Sequence, residues 1–150
     1  MARQEDRGLQ MREIEGCLQG PGTDCLTKKG AGMAYIYCVM ILGVIGFQIA
    51  LILGAPWGRI TQGGQTEGPL PRSGRIVAAT SIAILAGMGL GILSADGRWP
   101  GWPAWTGWAA LAVTALSMVL NWITPSKSER RLWGPIMTVM CALALAVHWA

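Results

Sequence analysis

The sequence predicts an all-α integral membrane protein, a bundle of four transmembrane helices, from its composition and from where its charges lie. Apolar residues make up 52% of the 150-residue chain and charged residues only 13%, about half the charged share of an ordinary soluble domain. Half of the charged residues lie before residue 33, and the rest form short clusters between uncharged runs. A soluble helix alternates charged and apolar faces, so this segregation indicates helices that lie in lipid.

The net charge of +4 points to a bilayer with anionic headgroups as the partner. No run of Lys and Arg interleaved with aromatic residues is long enough for a nucleic-acid footprint, so we expect no nucleic-acid partner.

Residues 1–32 differ from the rest, because they carry many charges and several glycines but no sustained helical period. They predict either a disordered charged tail or a mis-assigned start, with Met33 as the true first residue. The second interpretation comes from Lys29-Gly30-Ala31, whose codons can contain a bacterial ribosome-binding sequence just upstream of the Met33 codon. Residues 33–150 are then the transmembrane domain.

Four apolar runs predict the spans, at about residues 33–54, 76–94, 105–123 and 134–150. The first run is uncharged, starts with Tyr35 and Tyr37, and is followed by Trp57, as expected of interfacial aromatic residues. It lacks the A-x-A site of a cleaved signal peptide. The second run opens after Arg75 and closes at the sequence SADG.

The third span follows the sequence DGRWPGWPAW, in which tryptophan recurs every third residue. An apolar helix follows directly, so these tryptophans indicate an aromatic belt at the headgroup level rather than a stacking platform for a ligand. Trp133 and Pro135 start the last span, which predicts a short helix that tilts little or thins the bilayer locally.

Small residues recur at four-residue intervals on the first two spans. That spacing places them on one face of each helix, where another helix can approach closely. The alternative is that glycine and alanine are simply common in membrane helices. The candidate packing residues are Gly46, Ala50 and Gly54 on the first span and Ala79, Ala83, Gly87 and Gly91 on the second.

Two polar loops, residues 55–75 and 124–132, lie on the same side of the membrane if the chain crosses it four times. Positive charge close to a span resists translocation, so we expect both loops in the cytoplasm and both termini on the periplasmic or extracellular side. The first loop also contains Gln62-Gly63-Gly64-Gln65, which predicts either an anion-binding backbone nest or simple tight turns. The candidates for contact with anionic lipid headgroups are Arg59, Arg72, Arg75, Lys127, Arg130 and Arg131.

Few side chains within the spans offer chemistry. Gln48, Thr114 and Asn121 are the polar candidates. For the two amides, interhelical hydrogen bonds or, for Asn121, an interfacial position are preferred over a polar pathway. His148 is the only histidine and lacks a second strong ligand, and the four cysteines form no C-x-x-C pair. We therefore expect no metal, no cofactor and no catalytic residue.

The acidic residues after Met33 do not suggest acid–base chemistry. Asp96 and Glu129 both fall at the ends of spans, so they do not predict a carboxylate pair. No charged residue lies in the middle of a span, where a proton or ion relay would place one.

The loop sequence GAPWGRITQGG is followed by G-x-L-P and a basic residue, and the last loop reads NWITPSKSERRLWGP. With these residues the chain resembles a family of uncharacterised small bacterial integral membrane proteins that have a GAPWG-x-x-TQGG loop and four helices. The resemblance covers residues 33–150 and implies the four-helix fold. It implies no activity and no functional residue.

Three functional hypotheses follow. The leading one is a non-enzymatic interaction or accessory component of a bacterial inner membrane, in contact with itself or with another membrane protein. The first alternative is a small transporter or channel that acts as an oligomer, with Gln48, Thr114 and Asn121 along its path. The second is a membrane enzyme acting on a lipid, for which Arg59, Glu67 and His148 are the available groups.

Overall fold

The computed structural model describes the backbone of residues 21–149 and the side chains of residues 32–149. The described chain forms four long helices, and it contains no strand between residues 21 and 149. Two short 3₁₀ turns lie in the loop between the first two helices, at Gly58–Ile60 and Gln62–Gly64. The four helices are α1 at Pro21–Ile52, α2 at Arg72–Ala95, α3 at Trp105–Ile123 and α4 at Lys127–Trp149.

The helices form a closed ring in which each packs on the next along the chain and α4 returns to pack on α1. The two connections after α2 are short, so consecutive helices run in opposite directions, as in an up-down-up-down bundle. We call the end with residues 53–71 and 124–126 the basic end. The end with residues 96–104 and the end of α4 is the tryptophan end.

All four helices are long and apolar enough to cross a membrane, with Gly32–Ile52 as the crossing part of α1. Their outward faces carry large apolar side chains: Val39, Leu42 and Ile76 are each about two-thirds exposed (66%, 65% and 67%). A water-soluble monomer rarely exposes apolar surface on this scale, whereas lipid covers it without cost. The predicted all-α bundle of four transmembrane helices is confirmed.

Three helices begin earlier than the sequence predicts, among them α2, which starts at Arg72 rather than near residue 76. α1 starts at Pro21, so residues 21–32 of the predicted tail form its first turns, while residues 1–20 lie outside the described residues. α4 starts at Lys127 rather than near residue 134, because Pro135 lies inside the helix instead of at its first turn. With 23 residues α4 is not the short helix expected, since it extends roughly 34 Å at ~1.5 Å per residue.

The main apolar core lies between the middle of the bundle and the tryptophan end. It includes Tyr37 and Ile41 of α1, Ile92 of α2, and Met140 and Ala144 of α4. At the tryptophan end the backbones of α2 and α3 touch, since a Cβ built on Gly91 would lie 2.9 Å from the Thr106 carbonyl oxygen. This close approach closes that end of the bundle.

Candidate functional site

A cavity of about 320 Å³ lies among the four helices, between the middle of the bundle and the basic end. Each helix contributes one face to it, with residues spaced three or four apart. The cavity is partly open, because its lining residues Ile84 of α2 and Val113 of α3 remain 51% and 38% exposed.

All three polar candidates of the spans line this cavity, together with Ser81 and Ser117. Thr114, Ser117 and Asn121 lie on one face of α3 because they are three and four residues apart. The Asn121 amide Nδ2 donates to the Ser117 carbonyl of its own helix at 2.8 Å. Gln48, on α1, has no hydrogen-bond partner among the described residues. Neither amide therefore makes an interhelical hydrogen bond with a described residue, and the interfacial position predicted for Asn121 as an alternative stays a prediction.

Thr114 makes the hydrogen bond that crosses the bundle. Its hydroxyl donates to the Ala110 carbonyl at 2.7 Å and so accepts from the Tyr37 hydroxyl at 2.8 Å. Tyr37 and Thr114 are both fully buried. The bond joins α1 to α3 diagonally at the inner end of the cavity, where the main core begins.

Among the described residues, Glu129 is the only charged side chain that lines the cavity. Its Oε2 accepts hydrogen bonds from the Gly63 N–H at 3.0 Å and from the Thr124 hydroxyl at 2.9 Å. These donors are neutral, and the ion pairs of the described residues, Arg59–Glu67 and Asp96–Arg98, do not include Glu129. The sequence reasoning missed this residue because it placed Glu129 in a loop.

Two aromatic rings line the same cavity as Glu129. Phe47 and Trp133 meet edge to face with ring centroids 4.8 Å apart, and Phe47 also stacks on Trp57 at 5.5 Å. The Trp133 indole Nε1 donates to the Ile60 carbonyl of the loop at 2.8 Å. This bond and the ring contacts hold both aromatic side chains in place.

The loop between α1 and α2 folds over the basic end, and its buried Thr61 lines the cavity. A Cβ on Gly58 would lie 2.5 Å from the Thr66 carbonyl oxygen, and one on Gly64 would lie 2.5 Å from the Ser126 hydroxyl. Glycine at these two positions of the GAPWG-x-x-TQGG pattern therefore allows the loop to pack on itself and on the start of α4.

Two residues of the predicted backbone nest, Gln62 and Gly63, make hydrogen bonds to other groups of the protein. Of its residues, Gly63 donates its N–H to the Glu129 carboxylate, and the Gln62 side chain donates to the Gly74 carbonyl at 2.8 Å. Ser126 also donates to the Arg59 carbonyl at 3.1 Å, which ties the two predicted basic loops together.

The six candidate headgroup bases all lie at or beside the basic end. Arg59 forms an exposed ion pair with Glu67 at 2.8 Å, and the Arg75 Nε donates to the Leu70 carbonyl at 3.0 Å. Arg130 is partly buried. The remaining three are exposed: Arg72, Lys127 and Arg131.

The candidate packing residues divide into two groups. Only Gly91 lies at a tight contact between helices, against Thr106 of α3. A Cβ on Gly46 or Gly87 would meet no atom within 4 Å, and Ala79 and Ala83 are exposed. Ala50 and Gly54 are partly buried.

The sequence reasoning missed two further glycine contacts. A Cβ on Gly107 would lie 2.7 Å from the Ala95 Cβ, and one on Gly134 would lie 3.1 Å from the Trp122 indole.

His148 lies at the tryptophan end, away from the cavity. Its Nδ1 donates to the Ala144 carbonyl at 2.9 Å, and its ring packs on Trp108 with centroids 4.4 Å apart. Within the described residues, no three His, Cys, Asp or Glu side chains lie close enough together to hold a metal ion. In the connection between α2 and α3, the hydrogen bond to Asp96 raises the pKa of Arg98 above its ordinary value.

Comparison with protein-family models, with curated proteins and with solved structures gave no match.

Proposed function

We propose that the protein is a multi-pass protein of a bacterial inner membrane that binds a small polar solute in the cavity between its helices. The observation that carries the proposal is the convergence of Gln48, Ser117, Asn121 and Glu129 on one space. These four side chains come from three different helices. The bacterial inner membrane is inferred from the resemblance of the two loops to the small bacterial family.

The energetics of polar groups in a membrane support a wet cavity. An amide or hydroxyl without a partner in an apolar medium costs several kcal/mol, on the order of 2–7. Gln48 has no hydrogen-bond partner among the described residues, so water or a solute is the remaining source of one. A volume of about 320 Å³ also falls at the small end of ligand pockets, which span roughly 300–1,000 Å³.

The closed inner end favours a binding protein or carrier over a continuous pore through one chain. The Tyr37–Thr114 hydrogen bond and the buried side chains of Met140 and Ile92 fill the path to the tryptophan end. A carrier would have to open this end, whereas a solute receptor would not.

The orientation proposed for the chain puts the cavity on the cytoplasmic side. The first loop and the starts of α2 and α4 together place six bases at the basic end, and the positive-inside rule places such an end in the cytoplasm. Both termini would then be periplasmic or extracellular. A reporter fused after residue 150 should be active only outside the cytoplasm, and cytoplasmic activity would reverse the orientation.

Cysteine accessibility tests whether the cavity is wet. In a chain with its four cysteines replaced, Ser117→Cys and Asn121→Cys should react with a charged, membrane-impermeant thiol reagent, because only a thiol in water forms the reactive thiolate. Leu116→Cys is the matched control, since Leu116 lies on the same helix but is 60% exposed on its outer face. If Ser117→Cys reacts no faster than Leu116→Cys, the cavity is not accessible to polar solutes and the proposal fails.

A second candidate function is the accessory role, in which the outer faces of α1 and α2 bind another membrane helix. Four predicted packing residues favour it, because no other helix of the bundle packs tightly on them: Gly46, Ala79, Ala83 and Gly87. Such surface allows close helix approach in lipid. Native mass spectrometry of the wild-type chain and of Ala83→Leu tests it, since the bulkier residue should abolish a complex that uses this face and leave a monomer unchanged.

A further inference from the structure

We propose that the solute bound in this cavity carries a positive charge on an ammonium group, which the Glu129 carboxylate and the rings of Phe47 and Trp133 recognise together. The inference rests on the proposed solute-binding function and names the chemical class of the solute.

The charge of the lining is the first argument. Among the described residues that line the cavity, Glu129 is the only one with a formal charge, and no lysine, arginine or histidine faces it there. The two donors to its Oε2 are a backbone N–H and a hydroxyl. They fix the position of the carboxylate without pairing it with a positive charge, so the lining offers an unpaired negative charge to a cation.

The aromatic rings are the second argument. A cation within about 6 Å of an aromatic ring centre is attracted by the negative face of the ring. Phe47 and Trp133 line the same cavity as Glu129 and are held edge to face at 4.8 Å. A carboxylate and two fixed rings that line one cavity can together bind an alkylammonium group, because they provide both charge and polarisable surface.

The rest of the lining fits the remainder of such a solute. Met88, Met137 and Val44 supply apolar surface for alkyl groups, and Gln48 and Ser117 supply hydrogen-bonding groups. A strongly hydrated inorganic cation makes no favourable contact with this apolar surface, whereas the alkyl groups of an organic ammonium ion pack on it directly.

Glu129 also has a structural role that the test must separate. It lies in the first turn of α4, where a negative charge is favourable, and it holds Gly63 of the loop. That role predicts a change in folding stability when Glu129 is altered. It does not predict any selectivity among solutes that share a shape and differ in charge.

The experiment measures the thermal unfolding midpoint of the full chain in lipid nanodiscs with three probes of similar shape. The probes are choline, its neutral carbon isostere dimethylbutanol, and the anion trimethylacetate. Choline should raise the midpoint in a concentration-dependent manner, because a ligand that binds only the folded state stabilises it, and the other two should not.

Two variants assign the effect to the site. Glu129→Gln keeps an acceptor for the Gly63 N–H but removes the charge, and it should weaken the apparent affinity for choline at least tenfold. Phe47→Leu should weaken it severalfold. Glu67→Gln is the matched control, since Glu67 is an exposed acid of the same end that pairs with Arg59 outside the cavity, and it should bind choline as the wild type does.

The outcomes separate the two proposals. Equal shifts with dimethylbutanol or trimethylacetate, or an unchanged choline response in Glu129→Gln, overturn the ammonium inference while solute binding stands. No shift with any probe, together with a reactive Ser117→Cys, also overturns the inference alone. No shift together with an unreactive Ser117→Cys overturns both. If Glu129→Gln does not fold, the three probes on the wild type and on Phe47→Leu decide.

Discussion

The tryptophan end and the basic end of the bundle are built on opposite principles. At the tryptophan end, Gly91 and Gly107 bring the backbones of α2 and α3 into contact, and buried side chains fill the space between the helices. At the basic end, the facing residues are larger and many are polar, a cavity remains between the helices, and a folded loop covers it.

The difference indicates that one half of each helix holds the bundle together and the other half lines the cavity. In lipid there is little hydrophobic drive to bring helices together, so close packing through small residues supplies much of the association. The tryptophan end provides that packing. The helices at the basic end therefore need not pack closely, and polar side chains can line a cavity between them. The hydrogen bond between Tyr37 and Thr114 lies at the boundary between the packed end and the cavity.

The largest expected effect is on the contact that closes the tryptophan end. In Gly91→Ala the new Cβ would lie 2.9 Å from the Thr106 carbonyl oxygen, a backbone atom that cannot turn away, so α2 and α3 must separate. We expect a loss of about 1–3 kcal/mol in the free energy of unfolding, the usual cost of overpacking, measured by unfolding in mixed detergent and denaturant.

Gly87→Ala is the matched control, because Gly87 lies one turn away on the same predicted stripe and its Cβ would meet no atom within 4 Å. It should leave stability unchanged or raise it by about 0.5–1 kcal/mol through helix propensity. Equal losses in the two variants would mean that both positions pack against a helix and that the two ends do not differ as described.

The fold itself could be predicted from the sequence because lipid imposes it. Every backbone group in a membrane must find its partner within the helix, so an uncharged apolar run of sufficient length has few alternatives. The polar face of α3 could be predicted too, since Thr114, Ser117 and Asn121 recur with helical spacing.

The cavity and the tight contacts could not be predicted. Gly91 and Gly87 are equivalent in a four-residue pattern, and only the position of α3 distinguishes them. Glu129 was assigned to a loop because Pro135 suggested a helix start, whereas α4 accommodates that proline in its interior. Which glycine packs against another helix and where α4 begins both depend on tertiary contacts, which the local sequence does not show.

A smaller effect is expected where the loop is fastened over the basic end. Trp133→Phe keeps an aromatic ring but removes the indole N–H that donates to the Ile60 carbonyl. The loss of one such hydrogen bond costs about 0.5–1.5 kcal/mol, and it should fall on the loop rather than on the bundle. We therefore expect faster tryptic cleavage after Arg59 with little change in global unfolding.

Trp149→Phe provides the comparison for this loop, because Trp149 is 81% exposed at the tryptophan end. It should leave cleavage after Arg59 at the wild-type rate. A Trp133→Phe chain that resists trypsin as well as the wild type would show that the loop is held by its other contacts, such as the one between Gly63 and Glu129.

The smallest effect on folding is expected at Gln48, and it bears most directly on what the basic end does. Gln48→Leu keeps the size of the side chain and removes an amide that has no hydrogen-bond partner among the described residues. Stability should change by less than about 0.5 kcal/mol, while solute binding in the cavity should weaken. An amide that served as interhelical glue would give the reverse result, a poorly assembled protein, because its removal would break a contact between helices. Measuring assembly and choline binding on the same preparation distinguishes the two, since a folded variant with wild-type binding would remove Gln48 from the site.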